Sequence, residues 1–160
     1  MTSNASVVRQ IAWLALIPQF LFAMLLIFLW HYVHVPDPPF YGLASYLLIS
    51  FCLRTFIPKN HNKGMQLVKK DQFEEAIPLF EKSYLFFTKY SWIDKYRFIT
   101  LLSSSAMSYR EMSLTNIALC YTKLGNHAKA EEYYGKTFAE FPKSIIAKSA
   151  LEPLRKDLVQ

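Results

Sequence analysis

Apolar residues fill almost every position from Ile11 to Val33, and no formal charge falls among them. A run that is apolar all round reads as a membrane span and not as the buried stripe of an amphipathic helix. At about 1.5 Å per residue it reaches roughly 34 Å, enough to cross a hydrocarbon core of about 30 Å. Pro18 interrupts the run, beside Gln19, and predicts a kink, because neighbouring groups re-satisfy a freed carbonyl inside lipid. Trp13 near one end, with Trp30 and Tyr32 near the other, fit the aromatic belts of the two interfaces. Between His34 and Pro39, Pro36, Pro38 and Pro39 remove donors and fix φ, which predicts a tight turn. A second apolar run, Phe40 to Ile57, then returns, with Arg54 near its end placed to snorkel to headgroups. The pattern predicts an N-terminal transmembrane hairpin over 1–58, with spans at about 11–33 and 40–57. A cleaved signal peptide does not fit, since the first run is too long and no small-x-small site follows it.

Beyond Ile57 the pattern changes to amphipathic helices. The spacing predicts helices near 60–70, 74–89, 92–124 and 128–141, and another from about 144 to 158. Consecutive Ser103, Ser104 and Ser105 mark a weak point in the third, because serines compete for backbone hydrogen bonds. Ser91 with Asp94, and Ser108 with Glu111, have the spacing of capping boxes.

One pattern occurs twice. In residues 116–142, small Ala118 is followed at three by Tyr121, then come Gly125 at a turn, Ala130, Tyr134 four further on, and Pro142. In residues 62–82, Gly64, Leu67, Asp71, Ala76 and Phe80 hold the corresponding places, all at the one offset of 116 − 62 = 54. Small residues let two antiparallel helices approach, aromatics fill the space beside the contact, and Gly125 accepts the left-handed conformation that ends a helix. This arrangement resembles the tetratricopeptide repeat, or TPR, whose unit is about 34 residues. Roughly 20 residues are therefore inserted between the copies, a departure from the family pattern.

The resemblance implies an all-α chain whose domain at 59–160 is a short TPR-like α-solenoid. Its repeats lie at about 60–89 and 111–142, its insert at about 90–110, and a C-terminal capping helix at about 144–158. It also implies a groove that binds a protein segment, with Asn62, Met65, Lys69, Met112, Thr115, Asn116, Leu119 and Lys123 as the lining. The third repeat that completes such a clamp is missing, and Asn at these places also serves to bond helix to helix.

Two repeats are fewer than the three usually needed to bury a solenoid core. The helix with Ile145, Ile146, Ala150, Leu151 and Leu154 is placed to cap one end, while the bilayer or a second copy of the chain, hence a homo-oligomer, covers the other. Aromatics crowd the interval from Tyr84 to Phe98, and Phe98, Ile99, Leu101 and Leu102 leave no clean polar face. Trp92, Tyr96 and Phe98 are thus a candidate aromatic interface.

Charge refines the picture. Residues 58–160 hold sixteen Lys and Arg against eleven Asp and Glu, and Lys59, Lys63, Lys69 and Lys70 follow directly on the second apolar run. The hairpin turn has neither Lys nor Arg, so positive charge puts both termini and the TPR domain on the cytoplasmic side of a plasma or inner membrane. Basic residues there suit anionic lipid headgroups better than nucleic acid. Cys52 and Cys120 give no disulfide framework. His31 and His34 with Asp37 make too sparse a set for a metal. No phosphate-binding glycine loop, CxxC pair, HExxH helix or nucleophile elbow is present, so neither an enzyme nor a cofactor protein is expected. The expected function is a membrane-anchored adaptor for protein–protein interaction. The alternative is a structural or assembly subunit of a membrane complex, with the spans and the aromatic insert as interface.

Overall fold

The computed structural model describes residues 16–157, with side chains described as far as Pro153. Among the described residues the chain is all-α, with nine helices and no strand. It divides into two compact units: the residues up to Arg54 together with Tyr96–Met107, and Thr55–Lys95 together with the residues from Ser108 on.

In the first unit, α1 (Leu16–Tyr32) and α2 (Pro38–Phe56) are joined through a turn in which His34 takes a positive φ of 61°. Pro38 and Pro39 open α2, where a missing donor costs nothing because first-turn N–H groups have no intrahelical partner. The two helices touch at Gly42, where an added Cβ would stand 2.8 Å from the Ile27 Cα. Trp30 Nε1 donates to Ser45 Oγ at 3.0 Å, and the Tyr46 hydroxyl donates to Gln19 Oε1 at 3.3 Å. These bonds pair polar groups across an otherwise apolar contact.

The helices do not by themselves show the expected pair of spans. No single helix among the described residues is long and apolar enough to cross a membrane. The first span was to begin at Ile11, and residues 11–15, with Trp13 and the stretch before the Pro18 kink, lie outside the described residues. The second passes only when α2 is taken with α3 (Lys59–Val68), across a bend of 73°. The Arg54 guanidinium donates to the backbone carbonyl of Leu102.

The long helix expected at 92–124 is three pieces: α5 (Ser91–Lys95), α6 (Arg97–Thr100) and α7 (Tyr109–Lys123). The gap falls over the three serines, as their chemistry predicts, but it is wider. Leu102 has a positive φ of 47°, and Ser103 Oγ accepts from Ser105 N at 3.3 Å. Arg97 fastens the loop, donating from Nε to Ser105 O at 3.0 Å and from a terminal nitrogen to Ala106 O at 2.6 Å.

In the second unit, α3 packs on α4 (Phe73–Lys89), α4 on α7, α7 on α8 (His127–Glu140), and α8 on α9 (Ile145–Asp157). This serial packing is how solenoid units stack. One apolar cluster joins Ala76, Ile77, Phe80, Ile117 and Cys120, and a second joins Ala118, Ala130, Tyr134, Ala147 and Leu151. Ala147 and Leu151 bring α9 into the second cluster, so α9 covers the apolar side of α8.

Candidate functional site

The two copies of the pattern fold alike. In α3 and α4, Gly64 lies against Phe80; in α7 and α8, Ala118 and Tyr134 share one buried cluster. Gln72, just before α4, and Asn126, just before α8, correspond at the same offset. Each donates its backbone N–H back into the preceding helix, Gln72 to Leu67 O at 3.0 Å and Asn126 to Tyr121 O at 2.9 Å. Asn126 adds a side-chain cap, with Oδ1 accepting from Lys129 N at 3.1 Å.

The first helices of the two units, α3 and α7, touch, and the proposed groove residues lie on them. Asn62 and Met65 on α3, with Lys69 at its C-cap, have the spacing of Asn116, Leu119 and Lys123 on α7. That spacing of three and then four puts each triplet on one helical face. Asn116 Nδ2 donates to Met65 Sδ at 3.4 Å, which brings those two residues together across the helices. Asn62 Nδ2 reaches Thr55 O at 3.5 Å. Lys69 and Lys123 are exposed, Met112 and Leu119 half-buried. Each lysine also stands at the C-terminal end of its helix, where a cation complements the helix dipole whatever else it binds.

Thr115 stands apart from the rest of the strip. It is 7 % exposed, and its hydroxyl has no hydrogen-bond partner. At the 54-residue offset its counterpart is His61, which is also buried and whose Nδ1 also lacks a partner. Burial pushes the His61 imidazole down to about 4, so it is neutral at pH 7. Its ring meets Phe80 and Tyr109 edge-on, with centroids 5.5 and 5.3 Å away. His61 was not singled out as a site residue, although alignment of the two copies places it opposite Thr115.

Asp94 was expected to close a capping box with Ser91. Its carboxylate accepts from the backbone N–H groups of Tyr109, at 2.7 Å, and Arg110, at 3.0 Å. The carboxylate therefore caps the first turn of α7, where negative charge is favoured. Ser108 caps the same helix as its spacing predicts, its Oγ accepting from Glu111 N at 3.1 Å. Further along, Arg110 pairs with Glu140 at 2.6 Å, and the Tyr84 hydroxyl donates to the other oxygen of Glu140 at 2.6 Å. The α4–α7–α8 packing is thus tied by charge as well as by apolar contact.

A tetratricopeptide-repeat family model matches residues 113–136. That match runs through most of α7, the turn at Gly125 and the first part of α8. A TPR motif suggests a role in protein–protein interaction. No curated protein and no solved structure matches the chain.

The aromatic segment is divided. Phe87 is buried and stacks on Tyr109 at 4.6 Å, whereas Trp92 and Tyr96 are exposed, at 58 % and 52 %. Phe98 is half-buried, with the Arg97 guanidinium 4.6 Å over its ring. Of the three residues proposed as an aromatic interface, two are therefore open. His31, His34 and Asp37 are exposed, and among the described residues no group of three or more His, Cys, Asp and Glu could hold a metal ion.

Proposed function

We propose that the chain is a membrane-associated adaptor that binds a protein segment along the α3–α7 strip without catalysing a reaction. The observation that carries this reading is the repeated Asn-x-x-apolar-x-x-x-Lys spacing on two touching helices, one of them within the matched repeat. Asn62 and Asn116 would address the backbone of an extended peptide, Met65, Leu119 and Met112 its apolar side chains, and Lys69 and Lys123 an acidic group. Such a partner is a protein; nucleic acid is not part of the proposal.

Membrane association rests on exposed apolar surface. Phe20, Phe28, Phe40, Leu47 and Phe51 on α1 and α2 are each about two-thirds exposed, and contiguous exposed apolar surface marks a lipid or protein contact. Lys63 and Lys70 would then meet anionic headgroups, and the distribution of Lys and Arg favours a cytoplasmic C-terminal part at a plasma or inner membrane. Confinement to a surface raises the effective concentration of a weakly held partner.

Exposed Trp92 and Tyr96 favour a second reading, a structural subunit that uses its aromatic segment as interface, either with another protein or with a second copy. Capture of partners from detergent extracts separates the two. The adaptor reading expects Asn116→Ala/Lys123→Ala to abolish capture and Trp92→Ala/Tyr96→Ala to preserve it. The reverse result, or recovery of the full chain in the aqueous fraction without detergent, overturns it.

A further inference from the structure

The first turn of α3 opens onto a cavity of about 320 Å³, near the lower end of the range for ligand pockets. Its lining includes the apolar side chains of Phe56, Phe86, Phe87 and Ile93 and the polar groups of Lys59 and His61. None of the residues lining it is Asp or Glu.

The polar residues of the lining are Lys59, Asn60, His61 and Ser83, with no carboxylate to balance the lysine. Helix α3 begins after Pro58 with no side-chain cap, and first-turn N–H groups have no partner within their own helix. Such a terminus attracts an anion through its donors and its dipole. His61 gives an independent indication: it is 6 % exposed, lines the same cavity, and has an Nδ1 without a partner. A buried polar atom left unpaired is costly, and an acceptor on a ligand would remove that cost. Lys59 adds a positive charge beside them.

We propose that this cavity binds a fatty-acid-type ligand. Its single acyl chain lies among the aromatic rings, and its carboxylate lies at the first turn of α3, accepting from His61 and neutralising Lys59. The volume suits one chain and excludes a two-chain lipid held whole. A carboxylate is favoured over a neutral head because the lining offers donors and a cation with no acidic counterpart. This site is separate from the α3–α7 strip and does not depend on the adaptor reading.

The test titrates dodecanoate, and in parallel dodecanol, into the full chain below their aggregation limits, following the imidazole of His61 by NMR and affinity by calorimetry. The acid is expected to bind saturably at one site, to shift the His61 resonances, and to bind at least about tenfold more tightly than the alcohol. His61→Phe, which keeps the ring, is expected to weaken the acid about tenfold while leaving the alcohol unchanged, and Ile93→Trp, which fills the cavity, to weaken both. Equal affinity for acid and alcohol, absence of saturable binding, or unaltered binding in both variants overturns the proposal. The last of these results would assign the amphiphile to the exposed faces of α1 and α2.

Discussion

Asp71 and Gly125, separated by 125 − 71 = 54 residues, both have positive φ, 58° and 74°. The N–H of Asp71 bonds to Val68 O and that of Gly125 to Thr122 O, each at 3.1 Å and again at the same offset. A left-handed residue lets the chain reverse after a helix and return along it. Where the second copy has glycine, the first has aspartate, one of the few other residues that accept this conformation.

The backbone requirement alone is testable at Gly125, since a Cβ there would meet nothing within 4 Å. Gly125→Ala is expected to destabilise the chain by about 1 kcal/mol through conformation only. Asp71→Val, β-branched at a positive φ, is expected to cost about 1–2 kcal/mol, and Asp71→Gly to be close to neutral. Denaturant midpoints at constant slope would measure all three, and an unchanged midpoint in Gly125→Ala would remove the argument.

Gly64 poses the opposite problem. A Cβ there would come within 2.9 Å of Phe80 Cε1, and Phe80 is fully buried, so the ring has little space into which to withdraw. Gly64→Ala should cost about 1–3 kcal/mol by overpacking. Combining it with Phe80→Leu should recover part of that loss, giving a coupling that two independent mutations would lack.

The repeat was legible because its constraints are local: a small residue, a left-handed turn and an aromatic recur at fixed intervals within one helix pair. Helix α4 accordingly runs Phe73–Lys89, one residue from the expected 74–89. The segment between the repeats was less legible, because distant partners decide it. Ser91-x-x-Asp94 has the same local spacing whether Asp94 caps its own helix or one beginning at Tyr109. Arg54 presented the same ambiguity, since nothing near it in sequence announces the carbonyl of Leu102. In the candidate strip, periodicity placed Thr115 beside Asn116 but could not show that tertiary packing leaves the threonine buried.

The capping role of Asp94 has a quantitative consequence. The carboxylate is 3 % exposed and satisfies two α7 donors, so Asp94→Ala leaves both N–H groups unpaired in a buried place. A loss of about 2–3 kcal/mol is expected. Asp94→Asn keeps one acceptor and should lose roughly half as much. Hydrogen exchange gives a site-specific check, with the amides of Tyr109 and Arg110 losing protection before those of α4. Uniform loss throughout the second unit would instead mean that Asp94 acts only through global stability.

Burial of His61 links stability to pH. Its imidazole titrates near 4 in the folded chain against an ordinary value of 6.5, because a charged ring among Phe80 and Tyr109 would lose its hydration. Between those values the unfolded chain binds a proton that the folded chain refuses, so stability rises with pH through this window. The contribution is fully present above pH 6.5 and is lost as pH falls toward 4, with about 2 kcal/mol disappearing between pH 7 and pH 5. His61→Phe keeps the edge-on ring contacts and removes the titration, so its unfolding midpoint should vary less over that interval by this amount. Equal pH dependence in the two proteins would show that the ring is hydrated in solution. A bound carboxylate, by stabilising the protonated ring, should raise the His61 titration point and flatten the same curve.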